Sequence, residues 1–196
     1  LKNSTLIVLA KNPQMGKVKT RIARRVGDVS ALDIYQQLLG KTQQLCAGLP
    51  NLEIAIYYSD FIDPLDGWVM PVNRHIQEQN SDLGVRMLSA LTCELVRNPK
   101  VIIIGSDCPY ITPDHVRSTI GMLNQYDAVI GPSVDGGFYL LGLSEIDATI
   151  FRDIRWSTDQ VVNQLKINLV NHHRTMAELE TLTDIDEYED WLVYLS

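Results

Sequence analysis

Apolar and polar positions along this chain follow two rhythms, and the switching between them predicts its elements. Residues 5–10 form an unbroken apolar and β-branched run that stops at Asn12-Pro13, which reads as a buried strand ending in a turn. Over residues 19–49 the apolar positions Ala31, Ile34, Tyr35, Leu38, Leu39, Leu45 and Cys46 recur at three- and four-residue spacing. That spacing predicts helix, with Ser30 as an N-cap and Gly48 followed by Pro50 as a stop. Residues 53–59 and 74–77 read as strands. Asp82 is placed to cap an amphipathic helix carrying Val85, Leu88, Leu91, Leu95 and Val96, and Asn98-Pro99 ends it. Residues 101–104 are apolar on both faces, as strands of a parallel sheet are. Pro113 opens a helix reaching to about Tyr126, and residues 128–131 and 138–142 read as strands around Asp135-Gly136-Gly137. Strands alternating with helices imply βαβ units. The expected class is therefore α/β, with a mostly parallel sheet covered by helices on both faces.

A length of 196 residues fits one domain over 1–196 with a core large enough to need no disulfide or structural metal. The longest apolar runs, 6–10 and 101–104, fall far short of the roughly 20 residues of a membrane span. With Lys11 following the first apolar run and no cleavage pattern after it, the reading is no membrane span and a cytoplasmic protein. Cys46, Cys93 and Cys108 are odd in number and without a CxxC, so reduced, buried thiols are expected and no zinc site. A net charge of −7 and a pI near 5.0 argue against nucleic acid as a partner. The charge is unevenly spread. Lys11, Lys17, Lys19, Arg21, Arg24 and Arg25 crowd into one loop and helix start, whereas residues 178–190 hold seven carboxylates and no base. A local cationic loop on an acidic chain suits a small polyanion such as a nucleotide phosphate, or is a solvated helix face.

Ligands of open α/β sheets bind beyond the carboxyl ends of the strands, and four polar segments follow apolar strands here. Lys11-Asn-Pro-Gln-Met-Gly-Lys-Val-Lys-Thr-Arg21 joins a strand to a helix and offers backbone N–H groups with cationic side chains to an anion. It is no Walker A loop, since Val18 stands where Ser or Thr would bind magnesium, and it lacks the glycines of a dinucleotide fingerprint. In Gly105-Ser-Asp-Cys-Pro109, Asp107 can hold a hard divalent cation or can cap a turn. Gly136-Gly137 allows close backbone approach to a ligand, although Asp-Gly is also an ordinary hairpin turn. The acidic run 183–191 can supply a second metal ligand or enrich the first turn of a terminal helix. His75, His115, His172 and His173 show neither triad nor metal spacing.

Taken in order, K-x-P-x-x-G-x-x-K-T-R-I-A (11–23), Q-x-x-D-L-G-x-R-M (79–87), G-S-D-C-P (105–109), G-P-x-x-D-G-G-F-Y-L-L-G-L (131–143) and W-S-T (156–158) resemble a bacterial family of glycosyltransferase-like proteins. That family belongs to the nucleotide-diphospho-sugar transferase superfamily and is similar to phospholactate guanylyltransferase. The resemblance implies a GT-A-like three-layer α/β/α fold. It implies that Lys11, Gly16, Lys19, Arg21, Gln79, Gly84 and Arg86 bind the nucleotide, and that Lys19, Arg21 and Asp107 serve catalysis. Asp135, Gly136, Gly137, Trp156, Ser157 and Thr158 would face the acceptor. Mg2+ or Mn2+ would be held by Asp107 and by Asp186, which matches the middle Asp of the superfamily's D-V-D-T-P-E-D. Glu187-Tyr188 replaces Thr-Pro of that pattern, so Asp184 is the alternative second ligand.

The implied partners are a nucleotide or nucleotide-sugar and a small-molecule acceptor. Nucleotidyl transfer from a nucleoside triphosphate to a phosphorylated acceptor needs cations for the pyrophosphate leaving group, and the 11–21 loop contains them. Glycosyl transfer from a nucleotide-diphospho-sugar is the alternative, although it usually shows a D-x-D where this chain has Asp107 alone. A non-catalytic nucleotide-binding regulator is the third reading. For a shared metal, the Asp107 and Asp186 carboxyls must come close enough for one cation to bridge them.

Overall fold

The computed structural model describes residues 4–80 and 82–196. In chain order the elements are β1 (Ser4–Ala10), α1 (Thr20–Val26), α2 (Asp28–Ala47), β2 (Glu53–Tyr58), β3 (Asn73–Ile76), α3 (Leu83–Leu95), β4 (Lys100–Ile104), α4 (Pro113–Met122), β5 (Ala128–Pro132), β6 (Phe138–Leu143), α5 (Val161–Asn171), β7 (Met176–Glu178) and α6 (Tyr188–Leu195). A 3-10 turn, Ala148–Phe151, precedes α5. The seven strands form one sheet in the order β3-β2-β1-β4-β6-β5-β7. β6 runs antiparallel to both β4 and β5, and the remaining pairs are parallel. This is the α/β architecture expected from the alternation of strand and helix patterns.

Register explains why the central strands are apolar throughout. Ile7 pairs with Ala55 on one side and Ile103 on the other, and both faces of β1 are covered. Successive strand side chains point to opposite faces. Leu6, Val8, Ile54, Ile56, Ile102 and Ile104 therefore pack with Leu39, Leu45, Val116 and Ile120 of α2 and α4. Ile7, Tyr57, Ile103 and Leu141 pack on the other face with Met87 and Leu91 of α3 and Leu165 and Leu169 of α5. A third cluster joins Ile22, Ile34 and Leu38 to Ile185 and Trp191, tying α1 and α2 to the C-terminal segment.

Four details differ from the expectations. The helical stretch 19–49 is two helices, broken at Gly27 with φ 84°, a region that glycine alone enters freely. Gly27 rather than Ser30 is the N-cap of α2, and Ser30 lies inside the helix. α4 stops at Met122, short of Tyr126. Cys46 and Cys108 are buried as expected, whereas Cys93 is exposed on α3. Among the described residues no helix is long and apolar enough to cross a membrane.

Candidate active site

The chain runs outward from β1 through β2 to β3 and then returns to β4 on the opposite side of β1, so strand order reverses between β1 and β4. A crevice is obligatory where connections leave a sheet in opposite directions. A cleft of about 640 Å³ opens there. It is lined from the loop after β1 by Lys11, from the start of α1 by Lys19 and Arg21, from the loop after β4 by Asp107, and from the C-terminal segment by Asp184 and Asp186. Because β6 is antiparallel, its first residues lie at the same edge; Asp135, Gly137 and Phe138 complete that wall with Trp156, Ser157 and Thr158.

The centre of the cleft is an ion cluster. Lys19 adopts a left-handed backbone conformation, φ 46°, immediately before α1, and its side chain is only 6% exposed. Its Nζ lies 2.6 Å from Asp107 Oδ1 and 3.4 Å from Asp186 Oδ1, and donates to Ile185 O at 2.6 Å. One cation thus bridges the two carboxylates, and that cation is the ammonium expected on phosphate. Ile185 N donates to Asp107 O at 2.9 Å, so the C-terminal segment is stitched to the end of β4 at backbone level as well. Arg21 lies farther out and largely exposed, 3.9 Å from Asp186 and 3.8 Å from Glu187.

Asp184 is buried among like charges. Burial, followed by the charges of Asp107, Asp135 and Asp186, pushes its carboxyl up to about 7, and its buried Oδ1 has no hydrogen-bond partner. Four carboxylates therefore converge here, and the buried Lys19 ammonium contacts two of them, Asp107 and Asp186. No three His, Cys, Asp or Glu among the described residues are gathered tightly enough to hold a metal by themselves as they stand. The all-oxygen donors and the unpartnered Asp184 oxygen nevertheless fit a hard divalent cation completed by ligand oxygens, as Mg2+ and Mn2+ commonly are.

Several site residues were invisible in the sequence pattern. Tyr35, an apparent core residue of α2, donates its hydroxyl to Lys11 O at 2.8 Å, accepts Lys11 N–H at 2.9 Å and lies 3.2 Å from Ser106 Oγ. It clamps the phosphate-loop backbone to the β4 loop, and burial raises its phenol well above the ordinary range. Asp135, by contrast, was expected here from the resemblance, and it takes the Ser133 hydroxyl and Gly137 N–H on one oxygen. Gln77 and Asp159 also line the cleft.

Other expected residues stand beside the cleft. Gln79 donates to Gln77 O at 3.0 Å and Ser59 O at 3.4 Å, bracing a loop. Gly84 is where the Trp156 indole packs on α3, since an added Cβ would lie 2.2 Å from Trp156 Nε1. Trp156 also stacks on Phe151, so its ring is held in place by packing on both sides. Gly136, at φ 87°, abuts the Asp159 backbone, and Gly16 turns at φ 75° near Asp28. Among the histidines, His115 caps α4 with Thr112 and pairs with Glu180, and His75 stacks on Tyr57.

Residues 42–158 match the family model described as "Uncharacterized protein conserved in bacteria (DUF2064)". The chain is 26% identical over 139 residues to 2-phospho-L-lactate guanylyltransferase of Methanocaldococcus vulcanius, which covers 70% of this chain and 61% of that protein. It therefore spans less than two thirds of that relative's length. A crystal structure of a protein from Desulfovibrio desulfuricans G20, assigned to the nucleotide-diphospho-sugar transferases, superposes with a TM-score of 0.90 and 29% identity, covering 99% of this chain and 87% of that one. The manganese complex of Rv0371c from Mycobacterium tuberculosis shares the fold at a TM-score of 0.60 and 17% identity, covering 99% and 98% of the two chains. The fold is that of the nucleotide-diphospho-sugar transferases.

Proposed function

This chain belongs to the bacterial DUF2064 family, and from that premise we propose that it is a divalent-metal-dependent transferase with a nucleotide donor, catalysing nucleotidyl transfer from a nucleoside triphosphate to a small phosphorylated acceptor. The observation that carries the reading is the ion cluster at the strand-order reversal: Lys19 shared by Asp107 and Asp186, with the Asp184 oxygen buried and unpartnered beside them. Such a cluster has oxygen ligands for a cation and lies within one cleft with the cationic loop 11–21.

In the proposed reaction an acceptor phosphate oxygen attacks the α-phosphorus in line. The new P–O bond forms as the bond from the α-phosphorus to the bridging oxygen breaks, and pyrophosphate leaves. A divalent ion supplies charge neutralisation at the phosphate oxygens when bound, and Asp107, Asp184 and Asp186 would hold it. Lys11 and Arg21 would bind the departing pyrophosphate, and Lys19 would turn from its carboxylates to a phosphate oxygen of the bound nucleotide. Asp135, Gly137, Ser157 and Thr158 would face the acceptor.

Glycosyl transfer is kept as a second reading because of the similarity to the Desulfovibrio protein assigned to the nucleotide-diphospho-sugar transferases. Incubation with nucleoside triphosphates and nucleotide sugars, with and without Mg2+ or Mn2+, separates the two by product. Pyrophosphate indicates nucleotidyl transfer, and free nucleoside diphosphate indicates glycosyl transfer. Asp107→Asn should weaken metal-dependent nucleotide binding while the protein stays folded. Unchanged metal-dependent affinity by calorimetry would reject the assignment of Asp107.

A further inference from the structure

Gln77 and Arg86 form a pair on the cleft wall that takes no part in the reaction as drawn. Gln77 directly follows β3, is 5% exposed, and donates its backbone N–H to Tyr58 O at 2.8 Å. Its side-chain Nε2 donates to Tyr57 O at 2.9 Å and to Ala10 O at 3.3 Å. Both amide hydrogens are thereby used on the ends of β2 and β1, which fixes the amide orientation and turns Oε1 the other way. That oxygen accepts Arg86 Nη1 at 3.0 Å.

A guanidinium held at Nη1 has its side edge left over, the parallel Nε–H and Nη2–H fork. Arg86 Nε is buried and has no partner among the described residues. A donor withheld from water calls for an acceptor, and the fork geometry calls for two adjacent ones. Both residues line the cleft. Gln77 anchors the pair at the β1–β2 side, and β2 and β4 flank β1 on opposite sides, so the pair lies across β1 from Asp107. A nucleotide with its phosphates at the carboxylate cluster can extend its base toward this pair.

Resting on the nucleotide-donor reading, we infer that Arg86, set in place by Gln77, selects a donor base with two adjacent acceptors on one edge. Guanine meets this with O6 and N7, and cytosine with O2 and N3. Adenine and uracil alternate donors with acceptors along their edges and leave one N–H of the fork unmet. Gln77 is a positioning residue: it touches no ligand and acts through the orientation of the guanidinium.

The test is calorimetry of the full chain with Mn2+ and each of GTP, CTP, ATP and UTP, and with 7-deaza-GTP, which lacks the N7 acceptor. GTP or CTP should bind about 10- to 100-fold more tightly than ATP and UTP, the discrimination of a bidentate contact. If the guanine edge is the one read, 7-deaza-GTP loses most of that advantage; if the cytosine edge is, CTP leads. Arg86→Lys keeps the charge and removes the fork, so the advantage should collapse to within about threefold. Gln77→Leu should collapse the same ratio, a readout that loss of packing alone would not move, and Arg86→Lys carries the test if Gln77→Leu fails to fold. Equal binding of all four nucleotides by the native protein overturns the inference. So does a uniform loss in Arg86→Lys, which would mark a phosphate contact. Absence of binding by every nucleotide overturns the donor reading itself, a pattern distinct from either.

Discussion

Lys19 and Asp184 carry opposite burdens in the same few ångströms. The ammonium satisfies Asp107, Asp186 and the Ile185 carbonyl at once, whereas the Asp184 carboxyl is buried with three like charges around it. Removing the first leaves carboxylates uncompensated, and removing the charge of the second relieves repulsion. Lys19→Ala should therefore destabilise the metal-free protein by about 1–3 kcal/mol, the worth of a charged hydrogen-bonded group. Asp184→Asn should raise its melting temperature by about 2–4 °C, as about 1 kcal/mol does for a chain of this size. The same Asp184→Asn variant should bind metal-nucleotide more weakly. Thermal melts showing both variants moving in one direction would contradict this account of the cluster.

At the scale of elements, the site depends on connections that each strand end makes across the sheet. Tyr35 reaches from α2 to join the loop after β1 to the loop after β4. The turn between β5 and β6 is locked onto the start of α5, with Val162 N–H donating to Gly136 O at 3.0 Å. Gly136 is the tightest point of that lock, since a Cβ there would sit 2.1 Å from Asp159 O at a backbone φ of 87°. Gly136→Ala should cost about 1–3 kcal/mol and shift both Asp135 and the 156–159 loop. Denaturant melts check the first expectation. Weakened acceptor-side activity with donor binding retained checks the second.

For the whole molecule, the β7 edge of the sheet is held by a carboxylate anchor as well as by packing of Met176 on the core. Asp127, at the entrance of β5, accepts the Thr175 backbone N–H and hydroxyl, each at 2.7 Å, just before β7. The Thr175 backbone hydrogen bond, then its hydroxyl and the Arg174 charge, hold the Asp127 carboxyl below the ordinary aspartate range. A carboxyl depressed in the folded state contributes stability above its unfolded pKa of about 3.9 and loses it as pH falls through the folded value. Asp127→Asn should therefore be less stable than the native protein near neutral pH, with the gap closing as pH falls from the unfolded value of about 3.9 through the lower folded one. Equal stabilities at neutral pH would show that β7 does not depend on this anchor.

The strand and helix rhythms sufficed to determine the α/β class, because a two-sided parallel sheet requires strands such as 101–104 to be apolar on both faces. They also exposed the loop positions of Lys11, Lys19, Asp107 and Asp186, since polar turns after apolar strands are local signals. The break at Gly27 had a local signal too, a glycine amid helical spacing, but only packing shows that the chain turns there so that Ile22 meets Ile34 and Leu38. Contacts across the fold had no such trace. Tyr35 looks like any apolar-face residue of α2, and its hydroxyl's partners lie 24 and 71 positions away. Gln77, one residue past a short edge strand, becomes a site residue only because β1 and β2 end beside it. The sequence by itself determined which charges stand at strand ends. The tertiary structure decided which charge meets which, because Lys19 and Asp186 are 167 residues apart and only the return of the C-terminal segment to β4 brings them together.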